Sequence, residues 1–190
     1  GSVSPGLLDA VKRVRKSGLT IAPEAGTERL RLFIRKDFPD AAIFDTARLA
    51  FERGWMTIKL YFMIGLPTET EDDVIGIANI CRAVSRISQE FPGRRTINVT
   101  LSPFIPKAHT PFQWQRQCSM EEIAGKERFL RERLRHRSVQ LSLRDPQLCA
   151  LEGAFARGTK ELWPALVALS ALLALVGTWA VTGLATLGRR

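Results

Sequence analysis

Residues 57–70 read TIKLYFMIGLPTET and contain the strongest strand signal in the chain. Residues 57–64 are apolar almost throughout, with Lys59 as the exception. Such a near-continuous apolar run is typical of a strand that helices cover in a parallel sheet. A Gly-Leu-Pro stretch ends the strand, and Thr70 with Asp73 has the spacing of a capping box. The segment therefore predicts a strand, a loop and a long helix in succession.

The same alternation continues on both sides of this segment. Further strands are predicted at 19–22, 97–101 and 139–143. The spacing of apolar residues predicts helices before Gly18, after Thr27, from Asp40 as N-cap to Gly54, from Thr70 to Phe91, from Met120 to His136 and after Pro146. Repeated strand–loop–helix units predict an α/β fold with parallel strand pairing.

The chain is basic, with a formal net charge of +9. This balance favours anionic partners such as nucleic acid, acidic lipid or a ligand with carboxylate or phosphate groups. Most basic residues, however, alternate with apolar ones at helical spacing, so we interpret them as solvated helix faces and do not expect nucleic acid as a partner. They form groups at Lys12–Lys16, Arg29–Lys36 and Arg128–Arg137.

The three cysteines, Cys81, Cys118 and Cys149, lie far apart in the sequence. No pair has the spacing of a metal or redox motif, so we expect no metal site from them. Their odd number and the lack of a signal peptide at the start predict a reducing, cytoplasmic location. Each is expected to be a small buried hydrophobic residue.

Unusual residues are concentrated in the loops that follow three of the predicted strands. These loops read PEAGT at 23–27, GLPTET at 65–70 and SPFIPKAHTPFQW at 102–114. In βα barrels the ligand site lies at the carboxyl ends of the strands, on such loops. Their position and composition together predict a binding site.

The three loops, in this order, resemble those of radical S-adenosylmethionine (SAM) proteins. The closest resemblance is to the bacterial members that carry a cobalamin-binding domain before the radical SAM domain, and it extends over residues 1–158. It implies that residues 1–145 are the C-terminal half of a TIM-type βα barrel. A helical extension at 146–161 and an apolar, helical tail at 162–190 would follow.

Two motifs of that family have no counterpart here. Its 4Fe–4S cluster is held by a Cys-x3-Cys-x2-Cys loop after the first strand, and an acidic, glycine-rich motif follows the second. The resemblance therefore implies a fragment that is inactive alone and needs the missing N-terminal half or a partner chain. In the complete enzyme it would supply part of the SAM and substrate site for adenosyl-radical chemistry, with cobalamin-dependent methyl transfer as one outcome. The alternative is a non-catalytic remnant or a subunit of a split protein.

The first loop offers groups suited to a polar ligand. Gly26 lets a ligand approach the backbone, and Thr27 opens a helix whose free N–H groups favour an anion or hydroxyl groups. The resemblance implies that Glu24 and Thr27 contact the ribose or methionyl part of SAM and that Lys36 pairs with the methionyl carboxylate. Arg35 replaces the asparagine expected from the family. The alternative is a capped helix with solvated charges.

The second loop resembles the motif that packs against adenine, in which a glycine avoids a steric conflict with the ring. The residues concerned are Ile64 and Gly65. Glu69 closes the motif, either in contact with the ligand or as a favourable charge at the N-terminus of the next helix.

In the third loop the resemblance implies that backbone groups read the adenine edge, and the residues are Pro103, Phe104 and Ile105. Further along, polar and aromatic residues are dense, and the candidates for a substrate pocket are His109, Thr110 and Trp114. The alternative is that this part only fastens a long loop to the domain.

The tail supports two interpretations. Residues 162–188 contain no charged residue, and Arg189 and Arg190 follow. Roughly 20 apolar residues span a bilayer, and a basic pair suits its cytoplasmic side. Membrane association through this segment and burial in a soluble protein both remain open.

Cell fractionation distinguishes the two interpretations of the tail. The full chain and a variant ending at residue 161 are expressed, and the soluble and membrane fractions are compared. A membrane segment places only the full chain in the membrane fraction, because its apolar side chains partition into lipid. A full chain that is soluble and monomeric without detergent would contradict membrane association.

Overall fold

The computed structural model describes residues 18–172, so the helix predicted before Gly18 and the tail from residue 173 lie outside it. Four strands are present: β1 (Leu19–Glu24), β2 (Thr57–Ile64), β3 (Thr96–Pro103) and β4 (Val139–Leu143). The helices are α1 (Glu28–Phe33), α2 (Asp40–Glu52), α3 (Glu71–Gln89), α4 (Met120–Arg133) and α5 (Pro146–Arg157). A 3-10 turn (Lys160–Leu162) follows, and residues 163–172 are helical.

The strands form one parallel sheet in the order β1-β2-β3-β4. This confirms the predicted α/β class and the parallel pairing. Each helical connection leads to the neighbouring strand, so all the strands end at the same edge of the sheet. The last strand ends at Leu143, just before α5 begins.

One face of the sheet carries the hydrophobic core. Ile58, Leu60 and Phe62 alternate along β2 and are buried, as are Ile97 and Val99 of β3. They pack in one cluster with apolar residues of α2, α3 and α4, among them Ile43, Ile77, Cys81 and Leu130. Burial raises the pKa of the Cys81 thiol, which behaves as the small hydrophobic residue that was predicted.

The opposite face is polar and partly open in the described chain. Lys59, Asn98 and Gln140 lie in one row across the sheet, and Tyr61 and Thr100 lie in the next. These side chains are half-buried or exposed. The expectation that helices cover β2 thus holds for one face only. Tyr61 and Met63 lie on the polar face, but their side chains are largely apolar, so the sequence does not show the alternation of buried and exposed positions along β2.

The helix caps confirm two predictions and correct a third. The Thr27 side chain accepts a hydrogen bond from the Leu30 N–H at 3.3 Å, and Thr70 with Asp73 forms the predicted capping box. Asp40 was expected to cap α2, but Pro39 is the N-cap and Asp40 is the first helical residue.

The interpretation of Arg31 as part of a solvated helix face was wrong, because its side chain is 0% exposed. It donates to the Ala25 carbonyl at 3.0 Å and pairs with the Asp40 carboxylate. A carboxylate from the next helix offsets the cost of burying this charge. Helical spacing alone could not reveal that partner.

Within residues 18–172, no helix is long and apolar enough to cross a membrane. The cytoplasmic location and the membrane association of the tail stay predictions. Trp163, Val167 and Leu172 of the described tail are exposed.

Two glycines let the loop after β1 touch α3. A Cβ on Gly26 would overlap the backbone of Asp73 and Ile77, and one on Gly76 would overlap the carbonyl group of Gly26. This approach fixes the distance between the first loop and the helix that follows β2.

Two mid-helix glycines allow a matched test of this contact. Gly76→Ala should lower the free energy of unfolding by about 2 kcal/mol through overpacking. Gly125→Ala in α4, where a Cβ has no neighbour within 4 Å, should raise it by about 0.5–1 kcal/mol through helix propensity. Urea denaturation measures both. Stabilisation by both substitutions would contradict the close approach.

Candidate functional site

The loops predicted as a binding site lie together at the carboxyl edge of the sheet. Glu24 at the end of β1 faces Phe62 of β2, and Ile64 at the end of β2 faces Pro103 of β3. The register of the strands therefore places the three loops next to one another, as expected for a site in a βα fold.

Strained backbone is concentrated in the segments between these strands and the following long helices. Among the described residues, four non-glycine residues have positive φ, namely Glu24 (71°), Arg35 (61°), Thr68 (64°) and His109 (62°). This conformation costs of order 1 kcal/mol or more for each residue and persists only where its surroundings enforce it. Such strain clusters at ligand-binding sites, which supports this edge as the candidate site.

Glu24 and Lys36, predicted separately as ligand contacts, are brought together as an ion pair. The Lys36 Nζ donates to Glu24 Oε1 at 3.0 Å, and both side chains are about one-third exposed. Partly exposed pairs contribute little to stability, because water screens them. A cationic ligand group can therefore replace Lys36 beside Glu24, and an anionic ligand group can replace Glu24 beside Lys36.

Gly26 was expected to let a ligand approach the backbone. In the structure the backbone of α3 occupies the space where a Cβ of residue 26 would lie. Thr27 is likewise engaged: its hydroxyl accepts from Leu30 and donates to the Asp73 carboxylate. The structure gives both residues a role in supporting the loop.

Asp73 is the residue that joins the first two loops, and the sequence did not reveal this role. Its carboxylate is 1% exposed and accepts from the Thr27 hydroxyl and from Arg29. It also accepts from the N–H and hydroxyl of Thr70 at 2.7 and 2.8 Å. Arg29 in addition donates to the Thr68 carbonyl at 2.9 Å. The capping-box spacing identified only the contacts with Thr70.

These donors set the charge state of Asp73. Burial alone would raise its pKa, but hydrogen bonds from Thr27, Thr70 and Arg29 more than offset that, and the pKa lies below its ordinary value. The carboxylate is therefore ionised near neutral pH.

Gly65 and Glu69 form a second support. Gly65 has φ 79°, and its N–H donates to both carboxylate oxygens of Glu69 at 3.0 Å. Glu69 is only 3% exposed and pairs with Lys126 of α4 at 2.7 Å. A cavity of about 320 Å³ lies beside them. Supporting the Gly65 backbone is a third role for Glu69, beside the two expected from the sequence, ligand contact and a favourable charge at the helix N-terminus.

Cys118 lies beside this turn. A Cβ on Gly65 would come within 2.7 Å of the Cys118 sulfur, so glycine is needed here for space as well as for its positive φ. Cys118 is half-buried, and burial is the main cause that raises the pKa of its thiol.

The third loop is fastened to the other two by apolar contacts. The Phe104 N–H donates to the Ile64 carbonyl at 2.8 Å, so this amide is not free to read a base edge. Phe104 is buried with Ala25, Leu30 and Leu66. The Phe112 ring packs against those of Phe33 and Phe104, with centroids 5.5 and 6.1 Å apart. Pro103 is also buried, and Ile105 is half-buried.

The candidates for the substrate pocket are less enclosed. Trp114 is 88% exposed and His109 is exposed as well. Thr110 donates to the Lys107 carbonyl at 2.7 Å, which closes a local turn. Phe112 packs onto the rest of the domain, whereas the hydrogen bond of Thr110 stays within the loop, and its pocket role stays a prediction. The pocket role of His109 and Trp114 stays a prediction.

The cysteines do not fit an iron–sulfur cluster. Cys81 is in the core and Cys149 is buried, whereas Cys118 lies in a loop. Within residues 18–172 no group of three or more His, Cys, Asp or Glu residues could hold a metal ion.

Comparison with known proteins shows similarity over part of the chain and no matching family model. An uncharacterized protein of Methanocaldococcus jannaschii is 40% identical over 105 residues, which are 55% of this chain and 22% of that protein. This chain thus matches about a fifth of a protein more than twice as long. No family model matches the chain, and no solved structure does.

Replacing Asp73 tests whether its carboxylate holds the loops. Asp73→Asn should lower the free energy of unfolding at pH 7 by about 2 kcal/mol, because donors from two loops lose a charged acceptor. The exposed carboxylate of Glu90, paired with Arg48, provides a control: Glu90→Gln should have little effect.

The loss of stability caused by Asp73→Asn should depend on pH. Because the folded pKa of Asp73 lies below its unfolded value, its contribution is present above about pH 4 and is lost as pH falls through the folded pKa. Denaturation of wild type and Asp73→Asn from pH 7 to pH 2 should show the stability gap narrowing below about pH 4. A gap independent of pH would refute the role of the ionised carboxylate.

Proposed function

We propose that this chain is the C-terminal part of a radical SAM barrel and forms one wall of its SAM and substrate site. The observation that carries the proposal is the difference between the two faces of the sheet: one is apolar and covered by helices, and the other is polar. In a βα barrel the helices lie outside and the strands turn their other face to the interior. Here α2, α3 and α4 pack on the apolar face, and the face with Lys59, Asn98 and Thr100 is polar.

Polar side chains lie side by side on neighbouring strands of this face, which suits the interior of a barrel that binds a ligand. Thr100 and Ser142 on neighbouring strands have their hydroxyls 3.4 Å apart. The Asn98 side-chain oxygen is buried, and no group within residues 18–172 donates a hydrogen bond to it. An unpaired buried acceptor is costly, so a donor from a ligand or from a further strand would stabilise this face.

The ion pair at the carboxyl edge suits the amino-acid part of SAM. A methionyl group carries an ammonium and a carboxylate. Glu24 would accept from the ammonium or from a ribose hydroxyl, and Lys36 would pair with the carboxylate. The 3.0 Å pair seen between them keeps both side chains at this edge.

Support for the nucleoside comes from the second and third loops. Gly65 has no side chain at the end of β2, and the Ile64 side chain is buried in the core. The Phe104 ring packs with Leu66 of the second loop. Carbonyl groups of Pro103 and Ile105 would be available to an adenine amino group. The Phe104 N–H is engaged with Ile64.

Catalysis would need parts that the described residues lack. Because no described residue set holds a cluster, we propose that the cluster, and cobalamin with it, belongs to an N-terminal half or a partner chain. The longer archaeal relative is consistent with such an arrangement. In this chain the residues bind and orient SAM. A non-catalytic remnant with the same surface is the second candidate.

Calorimetric titration with SAM tests the binding wall. We expect weak binding, with Kd of order 1 mM, because only part of the contacts is present. Glu24→Gln should weaken it about tenfold by removing a charge-assisted hydrogen bond. Glu132→Gln, an exposed carboxylate on α4, is the matched control. Equal affinity of the Glu24 and control variants would show that the resemblance misplaces the site.

Anaerobic iron–sulfur reconstitution tests whether the cluster belongs to another part of the enzyme. The chain alone should bind no cluster and release no 5′-deoxyadenosine from SAM, because its cysteines are dispersed and mostly buried. Iron analysis and chromatography measure both. SAM cleavage by this chain alone would overturn the fragment proposal.

A further inference from the structure

A second cavity lies at the opposite edge of the sheet, where β3 and β4 begin. Its volume is about 910 Å³, and it is formed by the end of α3 and the segments that lead into the two strands. Its lining residues include Arg94, Arg95, His136, Arg137 and Ser138. Three are arginines, one is a histidine and none is acidic.

Arg95 is the buried cation of this cavity. Its side chain is 8% exposed and stacks over the rings of Phe51 and Phe91, at 5.6 and 5.4 Å from their centroids. Its terminal nitrogens donate to backbone carbonyls of Phe51, Pro92 and Gly93.

The positive charge of Arg95 is not compensated within the described chain. No carboxylate of residues 18–172 pairs with it, and its buried Nε–H has no acceptor. A buried cation without an anion is unfavourable, and an unpaired donor adds to the cost. The uncompensated charge favours an anion in the adjacent cavity.

Hydroxyl and imidazole groups complete the lining. The Ser138 Oγ lies 2.9 Å from Ser85 Oγ and 2.7 Å from His136 Nδ1. The Ser138 N–H donates to His136 Nδ1 at 3.3 Å. Because Nδ1 accepts this bond, the proton of a neutral imidazole lies on Nε2.

We propose that this cavity binds a small molecule with a phosphate or diphosphate group. Arginine guanidinium groups match phosphate oxygens in geometry and charge. The volume lies within the range of small-molecule sites, and the concave shape favours a compact ligand over a nucleic-acid strand. The site is independent of the proposed SAM wall, because it lies at the amino ends of the strands.

Calorimetry with inorganic pyrophosphate at low ionic strength tests the proposal. The double variant Arg94→Ala/Arg137→Ala removes two exposed lining cations and leaves Arg95 in place. Binding should weaken at least tenfold, because two charge-assisted contacts are lost. The control Arg128→Ala/Arg157→Ala removes the same charge from exposed positions on α4 and α5, and its affinity should stay within twofold of wild type.

Three results would overturn the proposal. These are no pyrophosphate binding at millimolar concentration, equal weakening in both double variants, and binding of a single-stranded oligonucleotide where pyrophosphate does not bind. The last result would assign the surface to nucleic acid. Because pyrophosphate should not displace SAM, a competition titration separates failure of this site from failure of the SAM wall.

Discussion

The buried carboxylate of Asp73, at the first turn of α3, receives donors from two loops that are far apart in the sequence. Thr27 and Arg29 come from the segment after β1, and Thr70 comes from the segment after β2. Burying a charge is costly unless hydrogen bonds and an opposite charge compensate it. The loops must therefore keep these positions for the carboxylate to stay buried, which makes Asp73 the constraint that shapes the carboxyl edge of the sheet.

Further contacts hold the three loops at this edge. Next to the hydrogen bond from Thr27 to Asp73, the backbone of Gly26 touches α3. Lys126 reaches from α4 to Glu69, which holds the turn at Gly65. The Phe112 ring then closes the third loop over the other two. Charge, close backbone contact and aromatic packing thus produce one continuous surface from three loops.

Local sequence signals predicted much of this fold. The apolar runs gave the four strands, and the capping residues located the starts of α1 and α3, because both depend on neighbours within a few residues. The partners of Asp73 and the burial of Arg31 were missed, since they join residues of different elements. The sequence also placed Glu24, Gly65 and Phe104 at one edge, but the pairing of Glu24 with Lys36 and the role of Glu69 needed the structure.

The sheet has two different edges: a carboxyl edge with the ion pair of Glu24 and Lys36, and an amino edge with a cavity lined by three arginines and no acidic residue. SAM carries a carboxylate and could in principle reach either. Mapping amide chemical shifts by NMR during a SAM titration decides between them, because the method detects weak binding residue by residue. Binding at the carboxyl edge should shift the amides of residues 24–27, 64–66, 68–70 and 104–105. Shifts confined to residues 88–95 and 136–138, or no shifts at saturating SAM, would contradict it.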